Sequence, residues 1–150
     1  MSELKSKLQS DLNEAIKSRN TVVAETIRMV LAAITNEEVA GKEARVLSDD
    51  EVITVLSRET KKRREAAEAF DQAGRADKAA QEKAEGEIIG LYLPKQLSDD
   101  EISALIAECV AAVGAAGPQD MGKVMGALKP KIAGKADGGK VSALVKAALN

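Results

Sequence analysis

Apolar residues recur every three or four positions along most of the chain, the spacing that places them on one face of an α-helix. Before residue 93 this pattern predicts four helices, over about residues 3–18, 22–41, 49–72 and 77–92. The fourth is expected to end at Leu93, because position 94 is proline and proline disfavours helical conformation in the residue before it. A boundary is therefore predicted here, between an N-terminal domain of residues 1–95 and a C-terminal domain of residues 96–150.

One five-residue string, Leu-Ser-Asp-Asp-Glu, occurs twice, at residues 47–51 and 97–101. In each copy we expect the serine side chain to cap a helix. The glutamate three residues later should accept a hydrogen bond from the serine N–H and complete a capping box. The predicted pairs are Ser48 with Glu51 and Ser98 with Glu101.

Three shorter helices are predicted beyond residue 96. The first carries an apolar stripe over residues 102–113, the second is expected to end or kink at Pro130, and the third to begin near Gly138. The composition agrees, since alanine, leucine, lysine and glutamate are abundant and aromatic residues make up only 1%. The predicted fold class is all-α, with about four helices in the N-terminal domain and three in the small C-terminal domain.

The chain lacks the residues on which most catalytic and metal sites depend. It has no histidine, which is the commonest general base and the commonest metal ligand. Cys109 is the only cysteine and lies on the predicted apolar stripe, so we expect a buried side chain rather than a nucleophile. No carboxylate cluster has the loop pattern of a calcium or magnesium site. No catalytic residue, metal or cofactor is therefore predicted.

A cytoplasmic location is expected, because a single cysteine permits no intramolecular disulfide. The N-terminal residues lack the apolar segment of a signal peptide. No apolar run approaches the ~20 residues needed to span a bilayer, so no membrane association is predicted.

Charge is unevenly distributed, although the formal net charge of the chain is only −2. Residues 121–150 contain six lysines and one acidic residue, a local charge of +5. A basic end on an acidic body favours contact with a polyanion, although lysine-rich helices are often simply solvated. The candidate contact residues are Lys123, Lys129, Lys131, Lys135, Lys140 and Lys146.

The expected partner follows from the residues around these lysines. Lysine ammonium groups suit phosphate contacts, and glycines at the turns allow close approach of a backbone. Gly138 and Gly139 follow Asp137 at a predicted helix start, where N–H groups attract anions, although an aspartate there also suits turn formation. The segment has no aromatic residue on which unpaired bases could stack. We therefore expect recognition of the backbone and shape of a folded RNA such as tRNA, and no DNA partner.

A second candidate site lies on the third predicted helix. Glu59 and Arg63 are four residues apart and fall near the centre of its apolar face. One interpretation is an ion pair at the end of the core or along a groove. The other is a cleft in which these residues hold a ligand or a partner. Arg58 and Lys62 lie beside them and complete the candidate groove.

Several motifs, in order along essentially the whole chain, resemble the YqeY family. The C-terminal part is also similar to the tail domain of GatB, the B subunit of the tRNA-dependent amidotransferase. The residues that carry the resemblance include Lys62-Arg63-Arg64-Glu65-Ala66, Phe70-x-x-Ala73-Gly74-Arg75, Glu82-x-x-Glu85, Tyr92-Leu93-Pro94-Lys95-Gln96-Leu97 and Gly134-Lys135-Ala136-Asp137-Gly138.

The resemblance implies a two-domain helical fold whose C-terminal tail engages tRNA, while amide chemistry takes place in domains that this chain lacks. Together with the missing catalytic residues and the C-terminal lysines, it leads to the hypothesis of a non-catalytic, tRNA-associated binding module that docks through those lysines. One alternative is a protein-interaction adaptor that uses the groove near Glu59 and Arg63. Another is an accessory chain of a carbon–nitrogen ligase that uses glutamine as amido donor, with an amidotransferase or aminoacyl-tRNA synthetase component as partner.

Overall fold

The computed structural model describes residues 2–150, and every regular element among them is helical. This confirms the predicted all-α class. A single 3₁₀ turn, Pro118–Asp120, precedes the sixth α-helix. The α-helices are α1 (Glu3–Lys17), α2 (Thr21–Glu38), α3 (Asp49–Gln72), α4 (Ala76–Gly90), α5 (Asp99–Val113), α6 (Met121–Ile132) and α7 (Gly138–Leu149).

The chain forms two compact units, one ending at Leu93 and one beginning at Pro94. In the first unit, α3 packs along α4, and α1 packs along α2. Each helix turns an apolar face inward, and these faces together form the core. The core residues of the first unit are Leu8, Ile27, Val30, Ile34, Leu47, Val52, Val55, Leu56 and Ile89.

In the second unit, α5, α6 and α7 each contribute three buried side chains to one core. Cys109 is 1% exposed within this core, which confirms that it is a buried side chain. The residues before α5 hold the turn between α6 and α7. Leu97 N–H donates to the Lys135 carbonyl (2.9 Å), and the Gln96 side-chain amide donates to the Gly134 carbonyl (2.8 Å). Gly134 has a φ of 72°, a left-handed conformation that glycine adopts without strain.

The two predicted capping boxes differ. At the start of α3, the Ser48 hydroxyl accepts the Glu51 N–H (3.3 Å) and the Glu51 carboxylate accepts the Ser48 N–H (2.8 Å). Ser98 caps α5 by accepting the Glu101 N–H (3.1 Å), but the return bond is missing among the described residues, so that half of the prediction is wrong. Arg45 binds the Glu51 carboxylate and fixes it beside the cap, whereas Glu101 is exposed.

The end of α4 lies two residues before the predicted one, at Gly90 rather than Tyr92. Residues 91–93 form a turn in which each N–H donates to the carbonyl three residues before it. Beyond the helix, Tyr92 contacts α1. Its hydroxyl donates to the Asp11 carboxylate (2.5 Å), and the Lys7 ammonium lies 5.0 Å from the ring centroid. These contacts favour the turn over a longer helix.

Of the two alternatives predicted at Pro130, an end of the helix is excluded, because α6 continues to Ile132. Pro130 lacks the N–H that would bond to the Gly126 carbonyl, but both residues are exposed, so water can satisfy that carbonyl. Ile132 is buried in the core, and its burial favours the additional helical residues.

Within residues 2–150, no single helix has both the length and the apolar character of a membrane span. One bent pair, Asp99–Val113 with Pro118–Ile132, meets these two criteria jointly.

Candidate functional site

All six lysines predicted to contact a polyanion are exposed and belong to the second unit. They are distributed over two helices and the turn between them. Three lie on α6 (Lys123, Lys129 and Lys131), one in the α6–α7 turn (Lys135) and two on α7 (Lys140 and Lys146).

These lysines do not form one continuous face. Successive residues of an α-helix are about 100° apart, so Lys129 and Lys131 point to opposite sides of α6, about 160° apart. Lys140 and Lys146 diverge by about 120° around α7. The structure therefore separates the lysines into groups that a single flat partner would not contact together.

Three of the lysines lie beside acidic side chains of the same unit. Lys131 Nζ is 3.3 Å from Glu108 Oε1, and Lys123 Nζ is 3.8 Å from Asp120 Oδ1. Lys140 Nζ pairs with Asp99 Oδ1. Exposed ion pairs of this kind are weak, so they leave the lysines able to exchange partners.

The other three lysines, Lys129, Lys135 and Lys146, have no carboxylate within ion-pair distance among residues 2–150. Lys129 lines a pocket of about 430 Å³ together with Gly138, the first residue of α7. Lys135 lies three residues before Gly138, in the turn anchored by Leu97. The structure thus brings Lys129 to the same end of the unit as the lysine of the α6–α7 turn.

The start of α7 is capped by the chain itself. The Asp137 carboxylate accepts the Lys140 N–H at 3.2 Å. An anion at this helix start would therefore have to compete with an attached carboxylate. Of the two roles the sequence allows for Asp137, the observed one is formation of the turn.

The candidate groove on α3 divides into a buried part and an exposed part. Arg63 is 8% exposed. Its Nη1 donates to Glu59 Oε2 at 2.7 Å, and its Nε lies 3.4 Å from Glu85 Oε2 on α4. Met29 on α2 accepts a longer contact from Nη2 to its sulfur, at 3.7 Å. Arg63 therefore joins three helices of the first unit.

Arg58, Glu59 and Lys62 line an open cleft of about 320 Å³ between α2 and α3. The Arg58 guanidinium is 3.5 Å from Glu37 Oε2, and Lys62 Nζ is 3.2 Å from Glu59 Oε1. Three of the four predicted groove residues thus meet at one cleft, with two cations at its exposed rim. Arg63 does not line the cleft, and its ion pairs lie among the packed helices.

Glu85 and Met29 were not predicted as partners of Arg63. Glu85 belongs to a motif that resembles the YqeY family, but only the packing of α4 on α3 shows which residue it faces. No sequence signal marks Met29 as a neighbour of a guanidinium.

The pKa of Glu59 lies below its ordinary value of 4.5. Burial of the carboxylate raises the pKa, but hydrogen bonds from Arg63 and Lys62 outweigh that effect. A carboxyl group with a lowered pKa stabilises the fold above its ordinary pKa, and this contribution is lost as the pH falls through the lowered value.

Replacing Glu59 by glutamine should therefore destabilise the protein in a pH-dependent way. We expect Glu59→Gln to unfold at a lower urea concentration than the wild type at about pH 7, and the gap between the two midpoints to narrow as the pH falls below the ordinary pKa of 4.5. Urea unfolding at several pH values measures the difference. A gap between the midpoints that stays constant with pH would show that the charge of Glu59 does not stabilise the fold.

Among residues 2–150, no group of three or more histidine, cysteine, aspartate or glutamate side chains is arranged to hold a metal ion.

Comparison with known proteins gives one family and several relatives. A family model described as Yqey-like protein matches residues 5–149. An uncharacterized protein of Schizosaccharomyces pombe is 33% identical over 97 residues, which cover 64% of this chain and 76% of that protein. Two fungal proteins named Altered inheritance of mitochondria protein 41 are also similar. The one from Clavispora lusitaniae is 36% identical over 101 residues (66% of this chain), and the one from Pyrenophora tritici-repentis is 28% identical over 133 residues (87% of this chain).

These matches span 58% of the length of the Clavispora protein and 71% of that of the Pyrenophora protein. Both of these relatives are named as mitochondrial, so the cytoplasmic location expected for this chain stays a prediction.

Proposed function

We propose, from the premise that this chain belongs to the Yqey-like family, that it is a non-catalytic module that docks on tRNA or another folded RNA through its C-terminal unit. One observation carries the proposal: Lys129 and Lys135 are exposed at the same end of the second unit and have no carboxylate partner among the described residues. The similarity of this part of the chain to the amidotransferase tail supports RNA as the class of partner.

The expected contact is with phosphates rather than bases. Lysine ammonium groups bind phosphate oxygens as point charges, and residues 121–150 contain no aromatic side chain that could stack on a base. The α6–α7 turn has a defined conformation because Gln96 and Leu97 anchor it. We therefore place the centre of the contact at Lys129 and Lys135.

The net charge of the second unit limits how strong the binding can be. Residues 94–150 contain seven lysines and six acidic residues, a net charge of only +1. Long-range attraction to RNA is then weak, and binding depends on local contacts at the lysines. The affinity should accordingly fall steeply as salt is added. The site of action would be a compartment that contains tRNA, either the cytoplasm or the mitochondrial matrix.

A protein-interaction adaptor is the second candidate function, and the cleft between α2 and α3 supports it. Arg58 and Lys62 at the rim are the residues that a partner would contact, since their side chains are 56% and 69% exposed. An acidic segment of a partner chain fits this rim best. The double variant Arg58→Glu with Lys62→Glu tests this function. If it loses a protein partner and still binds tRNA as the wild type does, the adaptor function is favoured.

Reversing the charge at the centre of the proposed contact should weaken RNA binding. We expect Lys129→Glu with Lys135→Glu to lower the affinity for tRNA by roughly tenfold or more at low salt. The slope of log affinity against log salt should fall by about 2, because each lysine–phosphate contact contributes about 1. Fluorescence anisotropy with labelled tRNA measures both quantities.

Lys42→Glu with Lys78→Glu is the matched control. These two lysines are exposed in the first unit, and the pair of changes alters the net charge by the same amount. The control should bind tRNA nearly as well as the wild type. The proposed function fails if the wild type binds no tRNA at low salt, or if both double variants lose affinity equally.

A further inference from the structure

Two of the exposed ion pairs connect different helices of the second unit. Glu108 on α5 pairs with Lys131 on α6, and Asp99 at the start of α5 pairs with Lys140 on α7. The third pair, Lys123 with Asp120, spans only three residues and is longer, at 3.8 Å. The two inter-helix pairs therefore depend on the fold, whereas the third is local.

Both inter-helix pairs lie at the surface where an incoming phosphate could replace the carboxylate. The Asp99 and Lys140 side chains are 67% and 51% exposed. Those of Glu108 and Lys131 are 64% and 43% exposed. A phosphate oxygen offers a lysine ammonium the same charge-assisted hydrogen bond that the carboxylate offers. Each pair is thus a contact that RNA can take over without movement of the backbone.

We propose that Asp99 and Glu108 compete with RNA phosphates for Lys140 and Lys131, so that an RNA contacts these two lysines only by displacing carboxylates of the same unit. This inference rests on the proposed function. The two acids therefore weaken the binding of a polyanion at these two lysines.

The weakness of exposed ion pairs makes such competition reversible. One such pair lowers the affinity for RNA by up to about fivefold. The acids therefore reduce RNA affinity without abolishing it. Because the pairs are exposed, salt screens them as well, and their effect should be largest at low salt.

Neutralising the two acids in the 150-residue chain tests this proposal. We expect Asp99→Asn with Glu108→Gln to bind tRNA about fivefold more tightly than the wild type at about 50 mM salt, with the gain shrinking at about 300 mM. The matched control is Asp100→Asn with Glu101→Gln. Those residues are exposed in the first turn of α5 and have no lysine partner among residues 2–150. Both double variants change the net charge equally, so the control isolates the effect of general charge.

The outcomes distinguish the competition at Lys140 and Lys131 from RNA binding itself. A gain confined to the Asp99 and Glu108 variant supports the competition, as does loss of the Asp99→Asn gain when Lys140 is replaced by glutamine. Equal gains in both double variants would overturn it, because general charge would then suffice. If the wild type binds tRNA but the Asp99 and Glu108 variant binds no more tightly, the competition fails and the proposed function stands. Absence of tRNA binding by every form at low salt overturns both.

Discussion

Replacing Arg63 by alanine is expected to lower the free energy of unfolding by about 3–5 kcal/mol. The guanidinium lies between two carboxylates from different helices, Glu59 and Glu85, whose side chains are only 14% and 13% exposed. Removing it leaves two largely buried negative charges near each other without a cation, which is much more costly than losing the attraction of the pair itself. Urea unfolding monitored by circular dichroism measures the change.

Arg58→Ala is the control for Arg63→Ala. Arg58 is on the same helix and also contacts a glutamate, but its side chain is 56% exposed, so we expect a change of no more than about 0.5 kcal/mol. Adding Glu85→Gln to Arg63→Ala should recover part of the lost stability, because one uncompensated charge is removed. A loss below about 1 kcal/mol for Arg63→Ala would contradict a structural role and reopen the interpretation of Arg63 as a contact for a partner.

Leu128→Ala should destabilise the second unit by about 2–5 kcal/mol. Leu128 is fully buried in the core shared by α5, α6 and α7, and truncation removes apolar contacts and leaves a cavity. A domain of about 60 residues has little stability to spare. We therefore expect residues 94–150 to unfold while the first unit stays folded. Hydrogen exchange measured by mass spectrometry would show loss of amide protection confined to the second unit.

Leu56→Ala provides the reciprocal experiment, because Leu56 is equally buried in the core of the first unit. The same chemical change should then remove protection from α1–α4. If either variant removes protection along the whole chain in one step, the two units unfold cooperatively and the predicted division into two domains is wrong.

Local sequence signals were sufficient to predict most of the helices. Three helices begin at a capping side chain, that of Ser48, Ser98 or Asp137. Each cap accepts a hydrogen bond from a backbone N–H only three positions away. Such bonds depend on the local sequence alone, so a sequence pattern can identify them. The end of α4 was missed because a distant residue decides it. Tyr92 leaves α4 and contacts Asp11 of α1, at a sequence separation of 81 residues.

In the candidate sites, contacts within one helix could be predicted, whereas contacts between helices could not. The pairing of Glu59 with Arg63 could be predicted because residues four apart meet on one face of a helix. The second ion pair, between Arg63 and Glu85, could not be predicted because it depends on how α4 packs against α3. Similarly, the run of lysines is visible in the sequence, but its pairing with Glu108 and Asp99 requires α5 to pack beside α6 and α7.

The bonds that Gln96 and Leu97 make with the α6–α7 turn determine where the polypeptide can be divided. A fragment that begins at the helix cap, Ser98, would lack both donors and leave two turn carbonyls to solvent. The Gln96 amide also donates to the Pro94 carbonyl at 2.8 Å. A C-terminal fragment prepared for NMR spectroscopy should therefore begin at or before Pro94, so that the loop carrying Lys135 keeps its native shape.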